Sequence, residues 1–95
     1  MSATFHEMNL TRKEAVRLIG LAGKRANAAR NLGNTDSEDR HEAARHSLAG
    51  AVEVGAHLGR PNIIAWLYDD EVRTLEALGM KAIEAATNTP IPPNG

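Results

Sequence analysis

The sequence is poor in residues on which many small proteins depend. It has no cysteine, and Trp, Tyr and Phe occur once each among 95 residues. The lack of cysteine excludes disulfides and thiolate metal ligands, and it is typical of proteins in a reducing compartment. No apolar run approaches the roughly 20 residues that cross a bilayer. We therefore expect a cytoplasmic protein that makes no membrane contact.

Charge is balanced overall but unevenly distributed. The formal net charge is −1, yet residues 11–33 hold six cations against Glu14 alone, and acids outnumber bases from Asp36 onward. This asymmetry indicates either acidic helices packed beside a basic one or an anionic partner for the first helix. Lys13, Arg17 and Lys24 follow one side of that helix. They are the candidate polyanion-binding residues, and a solvated basic face is the alternative interpretation.

Residues 35–59 predict a single long helix. Thr35 and Glu38 have the spacing of a capping box, and Gly59 with Pro61 provides the stop. Ala44 and Leu48 begin an apolar stripe made largely of Ala and Gly. Because small residues permit close approach, this stripe predicts packing against another helix.

Two more helices are predicted around the central one. Thr11 and Glu14 begin the first, and residues 61–87 keep helical spacing that is interrupted near Asp69–Asp70. We therefore predict an all-α fold, an antiparallel bundle of three main helices at 11–33, 35–59 and 61–87 that homodimerisation completes. Residues 1–10 are predicted to be a flexible lead-in, and residues 88–95, which hold three prolines, a disordered tail.

Ile63 and Trp66 point away from the apolar stripe if the third helix is unbroken. Either a kink turns them inward, or they form an interface with a second subunit. A core short of large side chains favours the interface, because small domains often complete their burial by association. We predict that Ile63 and Trp66 lie in a homodimer interface.

The central helix also presents two Glu–His pairs four residues apart, Glu42–His46 and Glu53–His57. This spacing suits chelation of a divalent ion. The pairs lie opposite the apolar stripe, where no neighbouring helix supplies further ligands. We therefore predict that they face solvent and hold neither metal nor cofactor.

One catalytic pattern is present. The segment from Arg40 to His46, RHEAARH, resembles the Arg-x(4–6)-His motif of HEPN ribonucleases, and the likeness covers these seven residues. The resemblance implies metal-independent RNA cleavage in a cleft between helical subunits. Arg40 would then position the phosphate and His46 would serve in acid–base chemistry.

The favoured function is a small non-enzymatic interaction or regulatory module, of a size common among bacterial or phage accessory proteins, that acts through protein–protein contacts. The partner is unidentified. One alternative is a nucleic-acid-binding accessory protein that uses the basic first helix, and the other is the HEPN-like ribonuclease. Salt dependence separates the first two, because each phosphate contact releases counterions.

Overall fold

The computed structural model describes residues 5–83. Three helices and two strands follow one another in the order β1 (Phe5–Thr11), α1 (Arg12–Asn31), α2 (Thr35–Leu58), β2 (Asn62–Tyr68) and α3 (Asp69–Ala77). The predicted tail at 88–95 and the last residues of the predicted third helix, 84–87, lie outside the described part.

The first two helices form close to the predicted positions and pack as an antiparallel hairpin. The Thr11 hydroxyl accepts a hydrogen bond from the Glu14 N–H at 3.0 Å, which caps α1 as expected. The cap of α2 differs from the prediction. Asn34 caps this helix instead of Thr35, and its side-chain oxygen accepts from the Ser37 N–H at 3.1 Å. Asn is among the best N-cap residues, and it competes directly with the neighbouring Thr.

The all-α prediction is wrong because the hairpin is covered by a two-stranded antiparallel sheet. Strand β1 pairs with β2 in a register that runs from Phe5↔Tyr68 to Thr11↔Asn62. Residues 5–10 are therefore part of the fold and not a flexible lead-in. The predicted third helix is a strand over residues 62–68, and it becomes helical only from Asp69.

The physical reason lies in the composition of β2, whose sequence is NIIAWLY. Its inward side chains are Ile63, Ala65 and Leu67, and its outward ones are also largely apolar. A strand that is apolar on both faces has no polar alternation, so its periodicity cannot be told from that of a buried helix. The enrichment in β-branched and aromatic residues was the signal that favoured a strand.

The core lies between the sheet and the helices. The buried apolar side chains of α1 and α2 are mostly Ala, those of the strands are mostly Leu and Ile, and Leu75 adds the contribution of α3. The fully buried large side chains are Leu10, Leu18, Leu48, Ile63, Leu67 and Leu75.

Glu71 joins β2, α2 and α3 at one corner. Its side chain is largely buried, and its carboxylate accepts from the Ser47 hydroxyl at 2.8 Å and from the Tyr68 N–H at 2.9 Å. The second bond satisfies an orphan donor at the start of α3. The Glu71 carboxylate therefore stabilises the junction between β2 and α3.

Glu14 ties the segment after α3 to the first turn of α1. Its carboxylate accepts from the Arg17 guanidinium at 2.5 Å and from the Lys81 N–H at 2.9 Å. Arg17 also donates to the Gly79 carbonyl at 2.8 Å. The hydrogen bond from Arg17 lowers the pKa of Glu14 below its ordinary value, with a smaller contribution from the Lys81 N–H and partial opposition from burial.

We expect Glu14→Gln to be less stable than the unchanged protein at neutral pH, by about 1 kcal/mol or less because the ion pair is partly exposed. A carboxyl whose pKa is lowered by folding stabilises the protein above its unfolded value of 4.5. That stabilisation disappears as the pH falls through the folded value. Urea unfolding at several pH values should therefore show the two proteins converging below pH 4.5. A stability difference that stays constant with pH would contradict this account.

No helix in the described part of the chain is long and apolar enough to cross a membrane.

Candidate interaction surface

The outer side of the sheet carries every aromatic residue of the protein. Phe5, Trp66 and Tyr68 are 52%, 60% and 44% exposed, and they are the only Phe, Trp and Tyr in the sequence. Ile64 lies on the same face of β2, two residues before Trp66, and is partly buried. We call the surface formed by Phe5, Ile64, Trp66 and Tyr68 the aromatic face. Aromatic side chains usually dominate cores, so their exclusion from this core is informative.

The register of the sheet explains how these side chains meet. Phe5 is paired with Tyr68, and their rings stack with centroids 4.2 Å apart and planes 30° apart. Trp66 faces Glu7 across the strands. Since alternate residues of a strand share a face, the odd-numbered residues of β1 and the even-numbered ones of β2 line the outer side together.

The aromatic face carries little charge. The outer side consists of Phe5, Glu7, Asn9 and Thr11 on β1 and Asn62, Ile64, Trp66 and Tyr68 on β2. Glu7 is its one charged residue, and no Lys or Arg belongs to it. A contiguous apolar patch with a polar rim is typical of a protein contact surface.

The edge of β2 next to this face is unpaired within the described residues. Each residue of an antiparallel strand directs its N–H and C=O to the same side. The Tyr68 N–H bonds to the Glu71 carboxylate and the Asn9 carbonyl accepts from the Ile83 N–H at 2.7 Å, so both point away from the β1–β2 pairing. Asn9 is opposite Ile64. The peptide groups of Ile64 and Trp66 therefore point to the free edge of β2.

The strand places the two predicted interface residues, Ile63 and Trp66, on opposite faces of the sheet. The Ile63 side chain is fully buried in the protein's own core, whereas Trp66 projects outward. Only Trp66 remains available to a second molecule, and its role in an interface stays a prediction. The expected alternative, a kink that turns both residues inward, does not occur.

The three candidate polyanion-binding residues on α1 differ in their contacts. Arg17 is engaged by Glu14 and by the Gly79 carbonyl. Lys13 and Lys24 are exposed, and they take part in none of the ion pairs seen among residues 5–83. Lys13 and Lys24 lie about three helical turns apart, and binding of a polyanion by the three cations stays a prediction.

Arg40 and His46 lie in different surroundings. Arg40 lines a cleft of about 300 Å³ between α2 and α3, together with Tyr68 and Asp70. His46 is 71% exposed, and its Nε2 lies 3.7 Å from Glu42 Oε1. Six residues along a helix turn the side chain by about 240°. The structure therefore does not direct the two side chains into one cleft.

The Glu–His pairs also remain separate. Glu42 is engaged mainly by Arg45, whose hydrogen bond lowers the pKa of the Glu42 carboxyl. Glu53 and His57 lie on the exposed surface near the end of α2. Among the described residues, no three His, Asp or Glu side chains are grouped so that they could hold a metal ion.

Comparison of the chain with protein-family models, with curated proteins and with solved structures finds no match. The class of protein is therefore defined by its architecture, a helical hairpin and a short third helix packed under a two-stranded sheet. Its most distinctive surface is the aromatic face, which sequence reasoning found only through Trp66. The period-two pattern of residues 5–10, in which Met8 and Leu10 alternate with polar residues, could have revealed the rest.

Proposed function

We propose that this protein is a non-enzymatic interaction module that acts through protein–protein contacts made by the aromatic face. The observation that supports the proposal is the placement of Phe5, Trp66 and Tyr68, all three aromatic side chains, on one exposed surface. Leaving a large apolar side chain in water forgoes about 1.5–3 kcal/mol of burial. A domain with a small-residue core would use these rings internally unless a partner covers them.

The charge of the face favours a protein partner over a nucleic acid. Proteins that stack bases on aromatic side chains combine the rings with a basic groove that follows the phosphates. Here the only charge on the outer side of the sheet is Glu7, opposite Trp66. Binding of a polyanion to this surface would place like charges together. A cytoplasmic location remains part of the proposal, and cell fractionation tests it.

Site-directed photo-crosslinking in cells tests the contact surface. A benzophenone side chain introduced in place of Trp66 should form covalent adducts with protein, because the position lies at the centre of the face. The control replaces Leu32, which is 84% exposed but lies beyond the end of α1. We expect adducts from position 66 and none from position 32. Equal cross-linking from both positions, or none from position 66, would refute the proposal.

A further inference from the structure

We infer that a second copy of this chain pairs with the free edge of β2, so that the aromatic faces of the two copies lie side by side on one continuous four-stranded sheet. This inference rests on the proposed function and names the protein that lies beside Trp66. The unpaired backbone edge, the sequence of β2 and the charges at the two ends of the strand lead to it independently.

Within the described residues, the sequence of β2 lacks the features that normally prevent strand pairing. Monomeric proteins protect exposed edges with Lys, Pro, bulges or inward-pointing charges. The seven residues Asn62–Tyr68 include no charged residue and no proline, and they pair with β1 throughout without a bulge. Two strands are also fewer than a stable sheet normally contains.

The positions of the free N–H and C=O groups determine which residues of the two β2 strands pair with each other. Ile64 and Trp66 direct both N–H and C=O outward, whereas the Tyr68 N–H is already bonded to Glu71. At the other end, α2 approaches β2 closely, since a Cβ on Gly55 would lie 3.9 Å from the Asn62 carbonyl oxygen. A two-fold axis beside Ala65 pairs Ile64 of one copy with Trp66 of the other, and each such pair exchanges both hydrogen bonds.

This register is favoured by charge. Arg60 precedes β2 and Asp70 follows it, and both are exposed. Neither side chain takes part in an ion pair within residues 5–83. Antiparallel pairing about Ala65 brings Arg60 of one copy towards Asp70 of the other, and symmetry repeats this contact. The opposite charges at the two ends of β2 thus meet across the two copies, as an isologous interface requires.

The charge pair supplies the first test, by sedimentation equilibrium on the full chain. The protein should have twice its monomer mass. Arg60→Asp and Asp70→Arg should each raise the dimer dissociation constant by roughly five- to tenfold, since two exposed ion pairs are replaced by repulsion. The double variant should restore it to within about twofold. Both side chains are exposed, so neither change should unfold the protein, although Asp70→Arg also removes an acid from the first turn of α3.

Hydrogen exchange supplies the second test and identifies the edge. The amides of Ile64 and Trp66 should become more protected as concentration rises. The Glu7 amide, which points to the opposite edge of the sheet by the same alternation, should not change. A monomer at all concentrations, a dimer in which the Ile64 and Trp66 amides exchange as in the monomer, or failure of the double variant to restore affinity would overturn the inference.

These outcomes separate this inference from the proposed function. A monomeric protein that still cross-links to a different protein from position 66 would refute the second copy as partner and leave the interaction module intact. Absence of any adduct from position 66 would remove the interaction module itself.

Discussion

Leu67→Ala should lower the free energy of unfolding by about 3–4 kcal/mol, whereas Trp66→Ala should lower it by less than about 1 kcal/mol. Leu67 is fully buried in the core between the sheet and the helices, while the adjacent Trp66 is 60% exposed on the aromatic face. Truncating a buried Leu removes its transfer free energy and leaves a cavity. Truncating a largely exposed ring in the monomer loses much less burial and leaves no cavity.

Comparing these two variants tests whether residues 66 and 67 lie in a strand. Adjacent residues of a strand point to opposite faces, so the two substitutions should differ sharply. Urea unfolding at low protein concentration, where association does not contribute, is the appropriate measurement. The pair Ile63 and Ile64 provides a second comparison of the same kind, with Ile63→Ala the costly change. Equal losses for Leu67→Ala and Trp66→Ala would show that the segment is not the strand described.

Gly55→Val should destabilise the protein by about 2–4 kcal/mol, although Gly55 lies inside a helix. A Cβ at this position would lie 2.8 Å from Ile63 Cδ1, closer than real contacts allow. Ile63 is fully buried, so moving its terminal methyl would displace other side chains of a closely packed core. Overpacking a close contact between a helix and a strand forces the backbones apart.

The matched control lies in the same helix. Gly50 has open space around the position of a Cβ, so Gly50→Ala should raise stability by about 0.5–1 kcal/mol through helix propensity alone. Thermal unfolding of both variants would compare the two sites. A Gly55→Val protein as stable as the unchanged one would mean that α2 does not approach β2 this closely.

The helical hairpin can be predicted from local features of the sequence alone. Local signals there are strong and agree with one another: a capping Thr11, turn residues at Gly33 and Gly59, and apolar positions at helical spacing. The buried residues of α1 recur at helical spacing: Ala15, Leu18, Ala22, Ala26 and Ala29. Such signals act within a few residues, so they can be read without knowing the rest of the chain.

The conformation of residues 62–68 and the location of the aromatic face depend on contacts between distant parts of the chain. An apolar run of this length is compatible with a helix or a strand, and pairing with β1, more than 50 residues earlier, settles the choice. The same pairing brings Phe5 against Tyr68 and sets Ile63 and Trp66 on opposite faces. Contacts between distant residues are not encoded by local periodicity, because β-strand preference depends on the partner strand and on burial. For that reason the aromatic face could not be read from the sequence as a surface, even though its most exposed residue could be named.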